Sequence, residues 1–162
     1  MLRWLGAGLI LCGGLLARQT LLENGRRTQR ARRALAAAFE AMEEEIRLLL
    51  TPMPELLRRP YGEETDAFFG QASGSLMRGT SLATAWREAA DVLSLPPDER
   101  EQVVALGMRL GGSEESVCAA LSFAASMLRR RYDETEAARP QKERLTTSIC
   151  ISISLFLTII FF

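Results

Sequence analysis

Ala34-Leu-Ala-Ala-Ala-Phe-Glu-Ala-Met-Glu-Glu-Glu-Ile-Arg-Leu-Leu-Leu50 decides the fold class. Leu35, Phe39, Met42, Ile46 and Leu49 recur at alternating spacings of four and three, which winds them onto one face of an α-helix. The charges of this helix run against its macrodipole. Arginines crowd its approach, Arg26-Arg-Thr-Gln-Arg-Ala-Arg-Arg33, and glutamates fill its later turns, whereas the dipole favours the reverse by ~0.3–1 kcal/mol near each end. Attraction of basic side chains to anionic lipid, ~1 kcal/mol per residue near the surface, accounts for the inversion if the helix emerges from a membrane. Arg26, Arg27 and Arg30 are placed for that role, while Arg32 and Arg33 read as a solvated basic face.

Working outward, both ends of the chain are apolar. Leu2-Arg-Trp-Leu-Gly-Ala-Gly-Leu-Ile-Leu-Cys-Gly-Gly-Leu-Leu-Ala17 carries one charge, Arg3, and Leu21 and Leu22 extend it beyond Arg18. Its length suits a signal-peptide core as well as a span, but it has no good small-x-small cleavage site. We expect an uncleaved transmembrane helix over residues 1–22, with Arg3 and Arg18 reaching the two interfaces. At the other end, Leu145-Thr-Thr-Ser-Ile-Cys-Ile-Ser-Ile-Ser-Leu-Phe-Leu-Thr-Ile-Ile-Phe-Phe162 has no charged side chain. As a helix it spans roughly 27 Å, close to the ~30 Å of bilayer hydrocarbon, so residues 145–162 are expected to form a second transmembrane helix. Arg139, Lys142 and Arg144 precede it and no basic residue follows. Positive residues thus flank residues 23–144 on both sides, which by the positive-inside rule places that segment in the cytoplasm.

Composition narrows the chemistry. The chain has 162 residues, 20 basic against 20 acidic, and no histidine. A zero net charge argues against a broad nucleic-acid-binding face; the lack of imidazole removes the commonest general base and most zinc sites. The three cysteines are far apart and form no Cys-x-x-Cys pair, so they read as buried thiols. There is no phosphate loop, dinucleotide fingerprint or nucleophile elbow. Glu40, Glu43, Glu44 and Glu45 invite a carboxylate or metal site, but neither further ligands nor a surrounding that would shift a pKa is visible. A solvated or partner-facing acidic patch is the better reading, with Glu40, Glu43 and Glu44 as the partner-facing residues. No catalytic residue, metal or cofactor is expected.

The middle continues as short helices. Thr51-Pro52 is expected to cap and open one with Met53, Leu56 and Leu57 as its buried side. From Glu63 a helix with Phe68, Phe69, Ala72, Leu76 and Met77 runs to Gly79, and Thr80 or Ser81 caps the next, whose face is Leu82, Ala85, Trp86, Ala89 and Leu93. Leu95-Pro-Pro-Asp-Glu-Arg100 breaks and restarts the chain toward Val103, Leu106, Gly107 and Leu110. Gly111-Gly-Ser-Glu-Glu-Ser116 is expected to repeat the glycine stop and serine cap before a long helix carrying Val117, Leu121, Ala124, Leu128 and Tyr132. Arg129, Arg130 and Arg131 are expected to pair with Asp133 and Glu134 or with a partner. No period-two alternation occurs, so the segment reads as an all-α helical bundle with Trp86 in its core.

Met42-Glu-Glu-Glu-Ile46, Thr51-Pro-Met-Pro-Glu55, Gly79-x-Ser-Leu-x-x-Ala-Trp86 and Leu106-Gly107-x-x-Leu110-Gly111-x-Ser113, between an apolar start and a terminal span, resemble the stage III sporulation protein AB family. Glu114 and Cys118 stand where Asp and Gln are expected from that family. The resemblance implies a soluble part like the helical cytoplasmic domain of type II secretion F proteins. It implies a channel subunit between mother cell and forespore, anchored in the outer forespore membrane and facing the mother-cell cytoplasm. The implied partners are a cytoplasmic ATPase, the stage III sporulation protein AA, and other channel subunits; membrane lipid follows from the spans, and no nucleic acid is expected. Three alternatives stay open at this point: a general type II secretion F-like assembly protein, a membrane-bound enzyme using the Glu40 to Glu45 carboxylates, and a helical membrane sensor.

Overall fold

The computed structural model describes the backbone of residues 2–161 and the side chains of residues 23–138. Among the described residues the elements are α1 (Leu2–Leu49), α2 (Met53–Leu56), α3 (Glu63–Met77), α4 (Leu82–Ala90), α5 (Pro97–Arg109) and α6 (Glu114–Phe161), with no strand. The fold is all-α, as the periodicity implies. The chain divides into two compact units: Met1–Arg26 with Asp133–Phe162, and Arg27–Tyr132. Among the described residues no helix is long and apolar enough to cross a membrane. The two expected spans, residues 1–22 and 145–162, and the flanking Arg139, Lys142 and Arg144 lie outside the residues whose side chains are described.

The unit Arg27–Tyr132 is built around the expected stripe of α1. Leu35, Phe39, Met42 and Ile46 are buried, joined by Ala31, Ala36 and Ala38. Leu49 does not continue the face: it is 66% exposed. The reason is that α1 ends there and Leu50 turns into the left-handed region, φ 52°, with its N–H still bonded to the Ile46 carbonyl at 3.1 Å. Helices α1 and α6 run antiparallel, since the Gln29 amide reaches the Tyr132 carbonyl while Glu40, further along α1, meets Arg129, further back along α6.

The punctuation between helices follows local chemistry, with two departures from the sequence reading. At the end of α3, Gly79 (φ 87°) donates to Leu76 and Thr80 donates to Ser75, a paired closure that needs a left-handed residue and so selects glycine. Ser81 then caps α4, its hydroxyl accepting from the Thr84 N–H at 3.3 Å. Gly111-Gly112 does not repeat this stop, because neither glycine has a positive φ; the turn stays right-handed at Leu110 and closes through the Gly112 N–H to the Arg109 carbonyl. Thr51 does not cap α2 either. Pro52 takes that position, extended and without a side-chain cap, and Leu56 and Leu57 are the buried residues of that turn.

Trp86 is fully buried and gathers the other elements around it. Phe68 and Phe69 meet it edge-on with ring centroids 4.8 and 6.2 Å away, and Phe39 lies stacked at 6.1 Å, geometries that the ring quadrupole favours. Its indole N–H donates to the Val103 carbonyl of α5 at 2.7 Å, so the one polar atom of the side chain is satisfied. One turn on, Gly107 leaves room for the ring: a Cβ there would lie 2.4 Å from Trp86 Cδ1 and 2.9 Å from its Cβ. Trp86 is therefore core, as expected.

Gly107→Ala should lower stability by ~1–3 kcal/mol through overpacking. Gly70→Ala, on the open face of α3 with nothing within 4 Å of a new Cβ, should raise it by up to ~1 kcal/mol through helix propensity. Thermal unfolding of the full chain followed by circular dichroism reads both signs. Equal effects at the two positions would mean that the ring does not occupy the space above Gly107.

Candidate functional site

On α1, Glu40, Glu43 and Glu44 stand at i, i+3 and i+4 on one side of the helix while Glu45 is turned away from them. Glu40 pairs with Arg129 of α6, Oε1 to Nη1 2.6 Å, across exposed surface. Glu43 pairs with Arg47 one turn on at 2.9 Å and is mostly covered. Glu45 pairs with Arg59 at 2.9 Å. Glu44 is exposed and forms no ion pair among the described residues. Arg129 thus meets a carboxylate of another helix and not the nearby Asp133 or Glu134 that sequence proximity suggested. Among the described residues no group of three or more His, Cys, Asp or Glu side chains could hold a metal ion; Cys118 is a buried free thiol, while Cys12 and Cys150 lie outside the described side chains.

Of the expected membrane-facing arginines, Arg26, Arg27 and Arg30 are exposed, and Arg30 lies 3.7 Å from Glu64 of α3. Arg32 corrects the sequence reading. It is buried, with Nε donating to Glu99 Oε2 at 2.8 Å and Nη2 to Glu99 Oε1 at 2.7 Å, while Nη1 reaches Gln29. Two parallel charge-assisted bonds tie α1 to the start of α5. The signal for this pair was in the periodicity. Arg32 sits one turn before Leu35 on the stripe of α1, and Glu99 one turn before Val103 on the stripe of α5, so each charge stands where the next apolar residue would be.

A second polar feature lies beside Glu45. Tyr61 packs its ring on Phe69 at 4.9 Å, and both its hydroxyl and Glu45 Oε2 are buried without a hydrogen-bond partner. Burial, then the neighbouring Glu45 charge, pushes the Tyr61 phenol from 10.0 up to about 12, with Arg59 pulling the other way. Because the folded value is raised, this group favours the fold below pH 10, and that contribution is lost as pH rises from 10 to about 12.

These observations define a small all-α bundle with a sealed aromatic core and an acidic outer face on α1. The family model described as Stage III sporulation protein AB matches residues 3–162, and the chain belongs to that family of sporulation proteins. A solved structure described as Stage III sporulation protein AB (SpoIIIAB) superposes with a TM-score of 0.59 at 26% identity, covering 70% of this chain and 97% of its own. No curated protein sequence matches.

Breaking the buried pair from one side should cost far more than replacing it. Glu99→Gln leaves the Arg32 charge uncompensated and should destabilise the chain by ~3–5 kcal/mol, whereas Arg32→Met with Glu99→Leu should recover most of that loss; denaturant titration of the three chains checks the order. Tyr61→Phe should remove the late phenolate step from an alkaline absorbance titration and flatten the fall of stability between pH 10 and 12. An unchanged late step would mean that Tyr61 is not its source.

Proposed function

We propose that the chain is a non-enzymatic membrane platform subunit of the channel between mother cell and forespore, docking a cytoplasmic secretion-type ATPase, the stage III sporulation protein AA, alongside other channel subunits. In this reading residues 1–22 and 145–162 anchor it in the outer forespore membrane, and residues 23–144 form a type II secretion F-like helical domain in the mother-cell cytoplasm. The observation that carries the reading is the family match, which extends over the apolar ends as well as the bundle. Three further features support it. Both ends are apolar and basic residues flank the middle, with Arg139, Lys142 and Arg144 joining Arg26, Arg27 and Arg30 as contacts for membrane lipid. The unit Arg27–Tyr132 has a packed core of its own. Glu40, Glu43 and Glu45 are each engaged by a different arginine, which leaves exposed Glu44 as the member of the acidic face of Glu40, Glu43 and Glu44 that a partner's basic group would meet in this reading.

The test is titration of the full chain, held in lipid nanodiscs, against the purified ATPase. Wild type should bind saturably. Glu44→Lys changes the acidic residue that has no ion pair to break; it should slow association several-fold at low salt, and the difference should shrink as salt rises. No binding by wild type would remove the platform reading, and equal association rates at all salt concentrations would exclude the acidic face.

A further inference from the structure

The far end of α1 presents three consecutive exposed leucines: Leu48 at 71%, Leu49 at 66% and Leu50 at 69%. Other exposed large apolar residues, Met77, Val92, Met108 and Phe123, are scattered singly along the chain, which is ordinary for a protein surface. Leu50 is also the one non-glycine residue with positive φ among the described residues. At a helix end that conformation is usually taken by glycine, and a bulky side chain there is a strained outlier. A leucine held in a glycine conformation and facing solvent contributes nothing to the core, so the isolated bundle gives no reason for it.

The surroundings say what kind of molecule covers this tip. Glu44 lies one turn before Leu48 on the same side of α1, exposed and without an ion pair among the described residues. A basic group on the covering molecule would complement it. Three leucines fall far short of the ~20–30 residues a side of a standard stable interface, so they do not by themselves make a stable contact between two copies. The tip also lies about 30 Å along α1 from Gln29, which meets Tyr132 where the two chain ends leave the unit.

We propose that Leu48, Leu49 and Leu50, bordered by Glu44, are the docking tip of the bundle, seated in an apolar pocket with a basic rim on a soluble partner protein. This rests on the reading that the chain docks a cytoplasmic ATPase, and it names the anchoring surface. The acidic face steers the approach; the leucines hold the complex.

The experiment uses the full chain in nanodiscs and the stage III sporulation protein AA ATPase as probe, with affinity, melting temperature and particle mass measured for each variant. Leu50→Gly relieves the left-handed strain, so it should raise the melting temperature by a few degrees while weakening ATPase binding about tenfold. Leu48→Ala with Leu49→Ala exchanges good helix formers, so it should leave melting nearly unchanged and weaken binding by a similar factor. This opposition of stability and affinity is not produced by a merely structural role. If wild type binds and all variants bind equally, the tip is overturned while the docking reading stands. If the variants instead abolish self-association with ATPase affinity unchanged, a second copy covers the tip and the proposal is wrong. If wild type does not bind, the docking reading fails and takes the tip with it.

Discussion

Trp86 can sit where it does only because residue 107 has no side chain. The indole lies against the backbone of α5, and from there it touches Phe39 of α1 and both Phe68 and Phe69 of α3. Four helices are fixed by one ring, whose polar atom is absorbed by a carbonyl of the helix it lies on. A larger residue at position 107 would push α4 from α5 and open the aromatic cluster, since close-packed interiors have little slack to absorb an added carbon.

The Arg32–Glu99 pair acts on the same elements by a different force. Burial of apolar surface holds helices together without specifying a unique register, whereas a bidentate guanidinium–carboxylate contact tolerates little sliding. Placed one turn before the apolar stripes of α1 and α5, the pair sets how far along each other those helices stand. It contributes little as net stabilisation against an apolar pair of equal volume, because two charges had to leave water; its value lies in the alignment.

Much of this was legible in the sequence, wherever one signal dominated. The stripe of α1, the glycine stop at Gly79, a hydroxyl cap at Thr80 or Ser81 and the burial of Trp86 follow from periodicity and from residues whose chemistry suits a left-handed stop or a helix cap. The misses occur where signals compete. Arg32 has the chemistry of a surface residue and the position of a core one, and chemistry was read first. Leu49 has the spacing of the core but lies past the last turn that the neighbouring helices cover, an end that no local pattern marks. The run Glu43-Glu44-Glu45 looks like one cluster in print, yet helical winding sends neighbours about 100° apart, so each finds a different surrounding. Membership of the stage III sporulation protein AB family was readable from the order of several loose motifs, none of which would suffice alone.

The antiparallel course of α1 and α6 also sets how the bundle answers to force. Residues 27 and 132 leave the unit at the same end, beside the Gln29–Tyr132 contact. Drawing those two points apart loads that contact first and peels the helices turn by turn, the next tie between them being Glu40 with Arg129. The far end and its leucines feel no tension until the zipper has opened past the aromatic core. Such a geometry yields at low load, one contact at a time, unlike two helices dragged lengthwise, whose contacts must all fail together.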